Sequence, residues 1–246
     1  MASYFSRTFP RQHVWALLRI FDNETYRDDF VSGEIRVNTL GAYRRLEQSE
    51  AARRDTMEGI TATFPPSRIR ITVGGHEIQS KNLVAPVVFH PPGIDAWNVC
   101  SFVALHWQAD RPIEEEDLPE VSARIRLANE NRRFGEHVAV ILDARHFLDE
   151  IVRRTALMGL EARYGLVQYY DESTVQGFVP ATRVGFFKRR SVYADQKEFR
   201  IVVERDGPDE EVLWIDISDI AEFALATTTQ EFNESVRISF NDDLRS

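Results

Sequence analysis

Gln196-Lys197-Glu198 opens the run Glu198-Phe199-Arg200-Ile201-Val202-Val203, and its spacing brings an amide and a carboxylate together. Alternation predicts a strand with Phe199, Ile201 and Val203 on one face and Glu198 and Arg200 on the other. Gln196 shares the second face with Glu198, so the pair stands at the mouth of a strand. Such a pair on its own reads as a solvated strand end, and its weight depends on what stands opposite it. Lys188, Tyr193 and Arg200 lie close in sequence, making this the chain's densest cluster of candidate functional side chains. Three earlier groups are candidates to oppose it. Arg19 is the one charge in an apolar run and needs pairing or an anion. Asn38-Thr39, with Tyr43, ends a second strand pattern, where such side chains either cap a turn or line a pocket. Arg54-Asp55 with Glu58-Gly59 forms either a salt-bridged turn or the frame of a cleft.

The elements that must position these groups are legible in outline. Val14–Phe21 reads as a buried strand. Asp22 or Asn23 caps a helix over Glu24–Ser32 that Gly33 stops. Glu34–Leu40 alternates as a strand, and Ala42–Glu47 is a turn or short helix. Gly74-Gly75 marks a hairpin within residues 68–80. A longer strand follows over Ala96–Trp107, then an acidic loop and a helix from about Leu118 to Arg133, ending near Gly135. His137–Leu142 reads as a strand. Asp143 caps an amphipathic helix with Phe147, Leu148, Ile151, Val152 and Thr155 on one face, ended by Gly159. Strands are expected at Tyr164–Tyr170, Val184–Phe187, Glu198–Glu204, Val212–Ile217, Glu222–Thr227 and Val236–Phe240. The expected fold is one α+β domain over residues 1–246, with a mixed or antiparallel sheet, a few flanking helices, and β content concentrated after residue 160.

Composition narrows the chemistry. A 246-residue chain, 43% hydrophobic and 28% charged, is that of an ordinary globular protein. No apolar run approaches the ~18 residues of a membrane span. With no secretory pattern at the start, a cytoplasmic protein is expected. Cys100 is the single cysteine, so an internal disulfide is excluded, and its apolar setting reads as a core thiol. The net charge of −9 weighs against broad binding to nucleic-acid backbone, though not against a local basic cleft. The six histidines are scattered without metal-ligand spacing, so no metal site is expected. No phosphate loop, nucleophile elbow or kinase signature is present.

The order Arg19, capped helix to Gly33, Asn38-Thr39, then Gln196-x-Glu198 resembles the Arg-Ser-Glu branch of the ADP-ribosyltransferase superfamily. The second strand departs from it, having no Ser-Thr-Ser triplet. Arg53/Arg54-Asp55…Glu58-Gly59 and Gln196-x-Glu198-Phe199-Arg200 are also similar to a loose group of bacterial and phage proteins, some linked to phage defence. The first resemblance implies an ADP-ribosyltransferase-like fold, NAD as co-substrate and a protein or nucleic-acid acceptor. It gives Glu198 the oxocarbenium-like ribose, Gln196 the acceptor, and Arg19 the pyrophosphate or ribose. Asn38 or Thr39 would brace Glu198, and Tyr43 would stack on nicotinamide. Arg54, Asp55, Glu58, Lys188, Tyr193 and Arg200 would stand behind them or face the acceptor. All of this requires Arg19 and Glu198 to face one cleft from adjacent central strands.

Two other functions fit the same residues. Asp55, Glu58 and Glu198 are the carboxylates of a Mg²⁺-dependent nuclease, though without a known spacing. Alternatively, a basic-aromatic cleft serves a non-catalytic binding or sensor module of a phage-defence system.

Overall fold

The computed structural model describes residues 12–45, 59–108, 113–170, 177–178, 183–189, 197–208 and 211–239. Strands β1 (Gln12–Phe21), β2 (Glu34–Thr39), β3 (Ala62–Phe64), β4 (Ile71–Val73), β5 (His76–Ile78), β6 (Val87–Phe89), β7 (Asn98–Gln108) and β8 (His137–Ile141) come first. Then come β9 (Glu161–Leu166), β10 (Gln168–Tyr170), β11 (Gly177–Phe178), β12 (Phe187–Arg189), β13 (Glu198–Glu204), β14 (Leu213–Asp216) and β15 (Ala224–Thr228). The helices are α1 (Glu24–Ser32), α2 (Leu40–Arg45), α3 (Leu118–Arg124), α4 (Ala144–Leu157) and α5 (Thr229–Ser235). No described helix is long and apolar enough to cross a membrane.

An eight-stranded sheet organises the molecule, and every pairing in it is antiparallel. β7 is its hub. Val103 of β7 pairs with both β1 and β13, while Asn98 and Val99 pair with both β2 and β13. A strand has two edges, so β1 and β2 share one edge of β7 and part company opposite Cys100–Phe102. β13 lines the other edge and carries β9 beyond it.

One face of the sheet packs Leu17, Phe102, Phe199, Ile201 and Val203 against Phe30 of α1 and Phe147 and Ile151 of α4. The opposite face divides in two. Leu18, Val103 and Val140 meet Val121, Ile125, Leu127 and Phe232. Val99 and Val202 meet Leu40, Ile94, Val184 and Phe186. β13 is therefore buried on both faces, which is why Val202 is as apolar as its neighbours.

Several expected boundaries hold. Asn23 Oδ1 accepts from the Thr25 N–H at the start of α1, and Gly33 ends that helix at φ +115°. Asp143 Oδ1 accepts from the His146 N–H at the start of α4. Other expectations are corrected. The helix expected over Leu118–Arg133 stops at Arg124. Asn233 of α5 then bonds both the N–H and the carbonyl of Leu127, and these bonds replace the helical ones. The strand expected at Val236–Phe240 does not form over its described residues, 236–239. They follow α5, whose Thr228–Glu231 capping box was overlooked in the sequence. β structure is not concentrated after residue 160, since β1, β2, β7 and β8 all precede it.

Candidate functional site

Alternation along β7 sorts the candidate residues. Cys100 and Phe102 point to one side, and Ser101 and Val103 to the other. Arg19 Nη1 donates to Cys100 Sγ at 2.8 Å, and its guanidinium lies 6.0 Å from the Phe102 ring centroid. Glu198 pairs directly with Val103, and Ser101 Oγ donates to Glu198 Oε1 at 2.6 Å. Arg19 and Glu198 therefore lie on opposite faces of the sheet. The single cleft required of them does not exist.

Arg19 has a structural explanation. It follows the last β1–β7 pair, Leu18 with Val103, and so sits where β1 and β2 diverge. Its Nη2 donates to the Arg36 carbonyl of β2 at 3.0 Å, supplying a donor at the fork. The Phe21 and Phe30 rings flank the guanidinium, each centroid 5.3 Å away. Burial pushes the Cys100 thiol up, and Arg19 only partly offsets this. The expected core thiol is what the structure shows, with Cys100 fully buried.

Glu198 anchors a second polar centre. It is 5% exposed, and Arg200 Nε donates to the same Oε1 at 2.6 Å. Arg200 is 2% exposed and donates from Nη1 to the Gly185 carbonyl at 2.5 Å. Gly185 has φ +91°, and a Cβ there would meet Val202 Cγ2 at 3.3 Å. Opposite Arg200 on β9 stands Gly165. The Glu198 N–H donates to the Tyr169 hydroxyl at 3.1 Å. The ion pair thus ties β13 to β7 and to the turn before β12, while the Glu198 backbone N–H ties it to β10.

The remaining candidates divide. Thr39 Oγ1 accepts from the Ala42 N–H at 3.1 Å and caps α2, while its pairing with Asn98 puts it on the Arg19 side. Asn38, paired with Val99, is on the Glu198 side. Ser101, not Asn38 or Thr39, braces Glu198. Tyr43 packs on the Val99–Val202 cluster. Burial pushes its phenol up, with Arg19 and Arg200 pulling it back, so it lies within the field of both centres. Lys188 is in β12, paired with Tyr169. Gln196, Tyr193, Arg54, Asp55 and Glu58 lie outside the described residues.

The sequence reading missed Ser101 and Tyr169. Ser101 is the one hydroxyl in the apolar run Val99–Leu105, and that isolation was the available signal. Tyr169 left none, because it reaches β13 only through tertiary packing.

Lys197, between the two residues singled out, is a third centre. Its carbonyl accepts from the Ala104 N–H at 2.9 Å, and its Nζ donates to the Arg124 carbonyl at 2.6 Å. Burial and the neighbouring Arg124 pull the Lys197 ammonium down. His106 is lowered mainly by burial, with Lys197 and Arg124 adding to the shift and the Ala104 carbonyl opposing it.

No family model, no curated protein and no solved structure matches this chain. Among the described residues no three His, Cys, Asp or Glu side chains converge as a metal site. Arg200 occupies the cation's place beside Glu198.

Proposed function

We propose that this chain is a non-catalytic recognition module rather than an NAD-consuming transferase, with Glu198–Arg200 as the pin that holds its sheet and loops in register. One observation carries the reading: Arg19 and Glu198 stand on opposite faces of the sheet. An Arg-Ser-Glu transferase needs both on one NAD molecule. The prior engagement of each group adds support. A carboxylate that stabilises an oxocarbenium-like ribose must reach it, whereas Glu198 is buried and neutralised by Arg200.

A contact surface for a partner is available on the outer side of β2 and β14. Trp214, 54% exposed, stands directly across from exposed Arg36, and Asn38 follows on the same side. Trp and Arg are the residue types that dominate protein-binding hot spots. A protein partner suits such a surface, in keeping with the sensor role that the phage-defence resemblance suggests.

The test is incubation with labelled NAD and cell extract, measuring nicotinamide release and label transfer for the wild type and Glu198→Gln. Neither protein is expected to exceed the buffer control. Release by the wild type that a folded Glu198→Gln protein has lost would overturn the reading in favour of the transferase.

A further inference from the structure

Among the described residues, β9, β14 and β15 each pair on one side only, so the large sheet has open edges. Unpaired N–H and C=O groups recruit other strands, and edge strands are commonly guarded by charge, proline or a bulge. β9 carries Glu161 and Arg163, and β14 carries Asp216. β15 has no such guard. Its residues, Ala224-Leu225-Ala226-Thr227-Thr228, include no charge or proline, and its register with β8 runs without a bulge. Leu225 is 51% exposed. The direction of each backbone group follows from the register. The Leu142 N–H donates to the Phe223 carbonyl at 2.8 Å, and the Thr229 N–H to the Glu136 carbonyl at 2.9 Å. Antiparallel pairs alternate, so Leu225 and Thr227 also turn their backbone groups to β8, while Ala224 and Ala226 turn theirs outward. Thr228 faces outward too, but its N–H already donates to Glu231 Oε2 at 3.0 Å. The open stretch is therefore Ala224–Ala226, with Leu225 at its centre.

We propose that a second copy of this chain lays its own β15 antiparallel to this one, about a two-fold axis at Leu225. Ala224 of each copy then lies opposite Ala226 of the other, and every open N–H meets an open carbonyl. The two Leu225 side chains meet at a non-hydrogen-bonded position, where cross-strand side chains are closest. Two features favour a second copy over a foreign strand. The open stretch is symmetric about Leu225, whereas a longer foreign strand would run on to Thr228, where the donor is taken. Charge agrees with symmetry. Two chains of net charge −9 repel over most of their surfaces, and uncharged β15 is where they can meet. Such a dimer leaves the Trp214 surface free, since β14 and β15 stand at opposite ends of the sheet order. It does not depend on the recognition reading.

The experiment is analytical ultracentrifugation of the full chain across the micromolar range, with Leu225→Glu, Ala226→Pro and Leu225→Cys beside the wild type. The wild type is expected to pass from monomer to dimer as its concentration rises. Leu225→Glu sets two carboxylates directly opposite each other and is expected to weaken the dimer at least about tenfold. Ala226→Pro removes an outward donor from each copy and is expected to weaken the dimer similarly, while the bonds to β8, made by its neighbours, remain. Urea midpoints on dilute protein check that both variants fold, and the Leu225→Cys protein decides the matter if either does not. Under oxidation Leu225→Cys is expected to form a covalent dimer, because a disulfide spans that cross-strand distance and the native Cys100 is fully buried. A wild type that stays monomeric leaves the edge to a foreign strand and overturns the proposal. So does a dimer that folded Leu225→Glu protein forms as tightly, or a Leu225→Cys protein that forms no disulfide.

Discussion

At the scale of single residues, the polar groups inside this protein hold strands and loops together rather than reach outward. Glu198 and Arg200 carry the strongest prediction. Removing one member of a buried ion pair strands the other's charge, at ~3–5 kcal/mol. Arg200→Leu is therefore expected to lower unfolding stability by about that amount. Glu198→Gln keeps an acceptor for Ser101 and Arg200 but still strands the Arg200 charge, and is expected to cost about 3 kcal/mol, the low end of that range. The Glu198→Leu/Arg200→Leu double variant should cost less than Arg200→Leu alone, since no charge is left behind. Urea denaturation of these variants, with Glu198→Leu alone to close the cycle, checks this, and additive losses would show the pair to be uncoupled. Arg19→Met should cost about 1–3 kcal/mol through the Arg36 carbonyl it leaves without that donor.

At the scale of elements, the close crossing of the β8 entry over the end of β1 is the tightest constraint. Gly135 has φ +136°, and a Cβ there would run into the Phe21 carbonyl and the Asp22 nitrogen. The clash is with backbone, which cannot swing away as a side chain can. Gly135→Ala is expected to lower the melting temperature by about 10 °C or more, or to abolish soluble expression, measured beside Gly74→Ala in an open turn as control. Local elements such as α1 and α4 were readable because their signals are local: a cap side chain, a 3.6-residue stripe and a closing glycine. The break after Arg124 was not, because the Asn233 side chain that sets it lies 106 residues away from Leu127. The site shows the same division. Alternation correctly separated Glu198 and Arg200 from Phe199 and Ile201. It carried no information on whether Arg19, 179 positions earlier, stood on the same side of the sheet. That relation depends on the register of β1 and β13 against β7.

At the scale of the whole molecule, charge and burial combine into a pH dependence. His106 is lowered chiefly by burial and further by Lys197 and Arg124, the latter already paired with Glu120. His90 is lowered by burial and then by Arg44, with the Gly59 backbone opposing. Each histidine therefore takes up its proton more readily in the unfolded chain, where its pKa is about 6.5. Stability is complete above that value and is lost as pH falls toward the folded pKa values. The carboxylates of Glu150 and Glu231 are lowered by their partners from 4.5, so their contribution is lost only in a more acidic window. Between pH 7.5 and 5.5 the two histidines should therefore dominate, and the urea midpoint should fall. His106→Gln removes one of the two titrations and should make the fall shallower. If the wild type and His106→Gln lose stability equally across that range, burial does not hold the folded His106 below its ordinary value.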